Sequence, residues 1–124
     1  MRIAICDDEH NELLHLQSLI YRYDPGLDVS LYASAEAMLT GITNQQCDII
    51  LLDIEMDGMN GFTAAKKLVS IKNPPLIIFV TNSSEYTYHG YEVAYRYLPK
   101  PVSYAVLLVL MRASLRNIRF PLST

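Results

Sequence analysis

The sequence predicts an α/β domain, a doubly wound five-stranded parallel sheet of (βα)5 form with helices on both faces. Three observations predict it. Short apolar runs of strand length recur at 2–6, 48–52 and 76–80 without polar alternation, as strands buried on both faces require. Stretches of helical character separate them. Turn signals (Pro25-Gly26, Asp57-Gly58, Pro74-Pro75) stand at the junctions. Strict alternation of strand and helix demands βαβ units, and right-handed crossovers leave few topologies.

Each element has a local cause. Residues 2–7 form the first strand. Residues 9–23 form a helix with Leu13, Leu16, Ile20 and Tyr23 on one stripe, at spacings of three, four and three. Residues 28–33 alternate like a half-exposed strand, and Ser34 caps a helix running to about Ile42. Residues 48–53 are the second fully apolar strand. A helix follows from about Asn60 to Ile71 and stops at Pro74-Pro75. Residues 76–80 form the fourth strand, closed by Thr81-Asn-Ser-Ser84. A short fourth helix over 85–92 precedes a fifth strand near 95–98, and Ser103 caps a fifth helix to about Asn117.

The chain has 124 residues, enough for one domain with a single core, and 51% of them are hydrophobic, which excludes a disordered chain. Its net charge of −3 argues against direct contact with nucleic acid or an anionic membrane. No signal peptide is visible and no apolar run approaches ~20 residues, so a cytoplasmic protein with no membrane segment is expected. Cys6 and Cys47 fall near opposite ends of parallel strands, roughly 13 Å apart, and are expected to be reduced thiols.

The acidity is concentrated. Asp7 and Asp8 follow the first strand and Asp53 ends the third, so all three carboxylates sit at the strand exits, the edge where open α/β sheets bind ligands. Thr81 ends the fourth strand and Lys100 follows the fifth, at the same rim. Clustered carboxylates repel one another unless a cation joins them. A hard divalent cation suits a few carboxylate oxygens, a main-chain carbonyl and waters. An aspartate can also act as a nucleophile toward phosphorus. In that chemistry Lys100 would neutralise charge and Thr81 would donate a hydroxyl to a phosphoryl oxygen.

Asp7-Asp8, Asp53 within Leu51-Leu-Asp-Ile-Glu-Met-Asp-Gly-Met-Asn-Gly61, Thr81 and Lys100-Pro101 together resemble the receiver domain of two-component response regulators, over about residues 2–118. The resemblance implies that Asp53 is the phosphoacceptor, phosphorylated by a histidine kinase. It implies a Mg2+ (or Mn2+) site at Asp8, Asp7, Asp53 and the main-chain carbonyl of Glu55. Lys100 would pair with Asp53 or its phosphate, Thr81 would be the switch hydroxyl and Tyr97 the rotating aromatic. The Lys100-Pro101 bond is implied to be cis. The chain departs from the pattern at Asp57, where many receivers carry proline.

A finer resemblance, to LytTR-type receivers whose output domains bind DNA, rests on the Asp53–Gly61 segment, on Ser84-Glu-Tyr-Thr-Tyr-His-Gly-Tyr-Glu-Val93 and on Tyr97-Leu-Pro-Lys-Pro101. The expected organisation is a receiver over 1–118 and a linker stub over 119–124 leading to an output domain. Tyrosines 86, 88, 91, 95 and 97 and the apolar run Ala105–Met111 predict a homodimer or interdomain surface on the fourth and fifth helices and the fifth strand. Such a domain is a signalling switch with self-catalysed phosphorylation and dephosphorylation, not a turnover enzyme.

Other readings exist. A stand-alone interaction switch or phosphorylation-independent pseudo-receiver would need no chemistry at Asp53. An aspartyl-phosphate phosphatase is similar in its strand-end aspartate, but places a second aspartate two residues on, where this chain has Glu55. A flavodoxin-like cofactor binder needs a phosphate-cradling loop after the first strand, and Asp7-Asp8-Glu9 would repel a phosphate there. His10, His15 and His89 share no metal spacing and read as solvated.

Overall fold

The computed structural model describes residues 1–82 and 96–119, the last three by backbone alone. In chain order these form β1 (Arg2–Cys6), α1 (His10–Tyr23), β2 (Asp28–Tyr32), α2 (Ala35–Asn44), β3 (Ile49–Asp53), α3 (Gly61–Leu68), β4 (Leu76–Thr81), β5 (Arg96–Pro99) and α4 (Tyr104–Arg119). The expected short helix over 85–92 lies outside the described residues, as do His89 and the four tyrosines of 86–95.

All four strand pairings are parallel, in the order β2-β1-β3-β4-β5. The apolar runs are buried on both faces because their side chains alternate between two cores. Ile3, Ile5, Ile49, Leu51, Ile78 and Val80 face α1 and α4, with Leu13, Leu16, Ile20, Leu107 and Met111. Ala4, Cys6, Ile50, Leu52, Ile77 and Phe79 face α2 and α3, with Met38, Ile42, Ala64 and Leu68. Tyr23 packs part-buried at the end of the α1 stripe.

Boundaries shift for local reasons. Ser34 Oγ accepts from Ala37 N as the expected cap of α2, and Asn60 Oδ1 caps α3 by accepting from Thr63 N. α3 ends at Leu68, three residues short of expectation. Ser70 N and Ile71 N there bond to Lys67 O and Leu68 O, a tightening of the last turn before Asn73, whose φ is +55°. α4 runs to Arg119, two residues past the expected end at about Asn117. Among the described residues, no helix is long and apolar enough to cross a membrane.

Candidate functional site

Four strand exits converge on one rim. The Asp7 amide still bonds to Tyr32 O at 3.0 Å, so β1 carries Asp7 to the edge in sheet geometry. The Asp7 carboxylate then divides its acceptors. Oδ1 accepts from Glu9 N at 2.9 Å, a turn that launches α1, and Oδ2 accepts from Lys100 Nζ at 2.9 Å. Asp53, the last residue of β3, is held opposite Val80 of β4, and its Oδ1 lies 3.3 Å from Lys100 Nζ. The Lys100 amide donates to Thr81 O at 2.9 Å, which ties the end of β5 to the end of β4 and aims the side chain inward. The Lys100-Pro101 peptide bond is cis.

Burial makes these contacts consequential. Asp7, Asp53 and Thr81 are buried, and the Lys100 side chain keeps 7% of its surface exposed. Burial, then the neighbouring charge of Asp7, pushes the Asp53 carboxyl up to about 7, although Lys100 pulls the other way. Burial alone would lower Lys100, but its contacts with Asp7 and Asp53 outweigh that and leave it above its ordinary value. The ammonium is therefore firmly charged while Asp53 is poised near neutrality.

Asp8 stands apart from the other two carboxylates in being exposed. Its Oδ2 accepts from the Asp57 amide at 3.0 Å, across the mouth of the site. Asp7, Asp8 and Asp53 each offer an oxygen within 4.8 Å of the others. Glu55 is exposed two residues past β3 and, with Asp8, Asp57, Asn60 and Phe62, lines an open cavity of about 410 Å³.

The loop between β3 and α3 is fixed by two glycines. Gly58 has a φ of +79°, a turn conformation that favours glycine. Gly61 N donates to Ile54 O at 2.9 Å; a Cβ on Gly61 would collide with Asp53 O and lie 2.8 Å from Ile54 Cα. The start of α3 is thereby pressed against the end of β3, directly behind Asp53.

Tyr97 is half-buried on β5, its ring centroid 5.5 Å from that of Phe79, which makes an edge contact with Phe62 at 5.1 Å. On the same side of the molecule Arg96, Leu98, Val106 and Val109 border a groove of about 530 Å³. Val109 is 68% exposed and Val106 46%, so the all-round apolar character of this helix does leave an exposed face.

Both cysteines are free, and burial first, then nearby aspartates, push each thiol up to about 12. Three features escaped the sequence reading: the Asp57 amide on Asp8, the Phe62–Phe79–Tyr97 row, and His15. Although exposed, His15 places Nε2 2.9 Å from Val102 O and so ties α1 to the segment entering α4, where the sequence suggested only a solvated ring. Phe62 and Phe79 are ordinary core letters in a sequence, and an amide contact has no side-chain signature at all.

Residues 3–112 match the response regulator receiver domain family. The chain belongs to that family. The receiver is 33% identical over 102 residues to "Sensory transduction protein LytT" of Bacillus subtilis, covering 82% of this chain and 42% of that protein. It is 36% identical over 104 residues to "Positive alginate biosynthesis regulatory protein" of Pseudomonas aeruginosa, again 82% and 42%. The receiver thus spans about two fifths of the length of these curated relatives. Among solved structures, the response regulatory domain of protein mrkE from Klebsiella pneumoniae superposes with a TM-score of 0.88 at 21% identity, over 96% of this chain and 98% of that one. TrrA from Thermotoga maritima, solved in complex with Mg(2+)-BeF, gives 0.83 at 25% identity, over 91% and 97%. The protein is accordingly a receiver domain of a two-component response regulator, similar to LytT- and alginate-regulator-type proteins.

Proposed function

We propose that this receiver accepts a phosphoryl group on Asp53 from the phosphohistidine of a histidine kinase, and that the modified site controls a DNA-binding output domain. The observation that carries the reading is Lys100 Nζ between Asp7 Oδ2 at 2.9 Å and Asp53 Oδ1 at 3.3 Å, buried at the strand exits. In the transfer, an Asp53 carboxylate oxygen forms a bond to phosphorus as the bond from phosphorus to the imidazole nitrogen breaks; the other ring nitrogen of the phosphohistidine carries a proton, so the ring leaves as neutral imidazole. Lys100 faces the charge on the phosphoryl oxygens and Thr81 offers its hydroxyl to one of them.

The donor set fits a hard divalent cation. Three carboxylates with oxygens within 4.8 Å of one another outnumber the ammonium that reaches two of them, and an Asp53 carboxyl near 7 needs added positive charge to remain an ionised nucleophile at neutral pH. Asp8 and Asp53, Asp7 directly or through water, and the Glu55 carbonyl would hold Mg2+ or Mn2+. When bound, the ion would supply positive charge opposite the transferring oxygens.

Phosphorylation would draw Thr81 toward the phosphoryl oxygens and let Tyr97 turn inward, altering the β5–α4 side, where a homodimer or interdomain contact would form. The domain would then be residues 1–118, with 119–124 leading to the output domain, in a cytoplasmic protein whose receiver touches neither DNA nor membrane and acts as a switch rather than a turnover enzyme. Incubation with acetyl phosphate and Mg2+ tests the reading. One acid-stable, base-labile phosphoryl group per chain is expected, lost in Asp53→Ala and on chelation. Repeated turnover of phosphomonoesters would point instead to a phosphatase.

A further inference from the structure

The contact between the Asp57 amide and Asp8 Oδ2 has a consequence specific to this chain. Asp8 is exposed, and an exposed aspartate ordinarily samples several rotamers. Here one oxygen is held at 3.0 Å by a main-chain donor whose own position is set by the Gly58 turn and by Gly61 packed against the end of β3. Asp57 itself is exposed, so its side chain is not needed to fix the loop. A proline at this position, the residue many receivers carry, has no N–H to give.

We propose that the main-chain amide of Asp57 is a positioning group for the cation site, holding the Asp8 carboxylate with an oxygen within reach of Asp7 and Asp53. The proposal rests on the reading that these three carboxylates hold Mg2+. A carboxylate already turned toward the site gives up less rotamer freedom when the ion arrives. The rotamer freedom already given up by one such side chain corresponds to roughly a five- to tenfold change in affinity.

The test compares Asp57→Pro with Asp57→Ala. Both lose the side-chain charge, but only proline loses the N–H. Mg2+ titration of the 124-residue chain, followed by calorimetry, is expected to show Asp57→Pro binding about five- to tenfold more weakly than Asp57→Ala, with alanine restoring most of the affinity. Equal affinities would overturn the positioning role. A second measurement does not depend on the proline variant folding. In the metal-free protein the residue 57 amide proton is expected downfield and slow to exchange, and both features should vanish in Asp8→Ala. An amide indifferent to Asp8→Ala would overturn the proposal. No saturable Mg2+ binding in the wild-type chain would instead overturn the metal reading, even with the amide responding to Asp8→Ala.

Discussion

The two ends of this sheet each carry an ion pair of almost the same length, and the two pairs do different work. At the strand entries Arg2 Nε sits 3.0 Å from Asp28 Oδ2, with side chains 44% and 58% exposed, and the Arg2 amide bonds to Asp48 Oδ2 at 2.8 Å. At the strand exits Lys100 Nζ sits 2.9 Å from Asp7 Oδ2, with side chains 7% and 1% exposed. Length does not separate the two ends; solvent does. Water screens the entry pair, so either partner can be lost cheaply. The exit pair is desolvated, so removing one partner strands a buried charge. The same burial that makes the exit costly lifts the Asp53 carboxyl to about 7.

The largest expected contrast is in phosphoryl uptake. Asp53→Asn should abolish labelling by acetyl phosphate, whereas Asp28→Asn at the entry edge should leave it unchanged; label retained in Asp53→Asn would move the acceptor elsewhere. Stability should follow next. Lys100→Met is expected to cost about 3 kcal/mol in urea unfolding, the lower end for a broken buried pair because Asp53 can take up a proton. A loss comparable to that of an exposed pair would mean that water reaches the exit cluster.

Gly61→Ala should cost about 2 kcal/mol and weaken phosphoryl uptake, since its Cβ would force β3 and α3 apart behind Asp53. A neutral substitution would show that the loop yields. The pH response should distinguish the ends more gently. The folded-state value of Asp53, about 7, lies above the ordinary 3.8, so between these limits the folded chain keeps a proton that the unfolded chain has released. Stability of the metal-free domain should therefore fall as pH rises from about 4 to about 7. Mg2+, which favours the ionised form, should restore it most at the upper end of that window. Melting curves across this range check the sign, and Asp53→Asn should flatten the response. Smallest of all, Arg2→Ala should cost under about 1 kcal/mol, and less in high salt.

The alternation of elements was legible because its signals are local. Runs such as Ile49–Leu52 are apolar at both parities, and Pro25-Gly26 and Asp57-Gly58 mark turns with their own backbone chemistry. The carboxylates of Asp7, Asp8 and Asp53 could be placed at one edge because parallel strands all exit on the same side. What stayed illegible was how three similar aspartates divide. Asp7 and Asp53 are buried on Lys100, while Asp8 is exposed on the Asp57 amide. His15, on a solvated stretch of α1, gave no hint of Val102.

The sequence by itself therefore determined the class of fold, the edge at which the three aspartates and Lys100 gather and the side chains available there, because periodicity, turn residues and strand polarity need no distant partner. The tertiary structure decided the strand order, the burial that lifts Asp53 and the reach of Lys100 to an aspartate 93 residues away in the chain. Those depend on which strands dock side by side and how much water they exclude, and neither is written in any one segment.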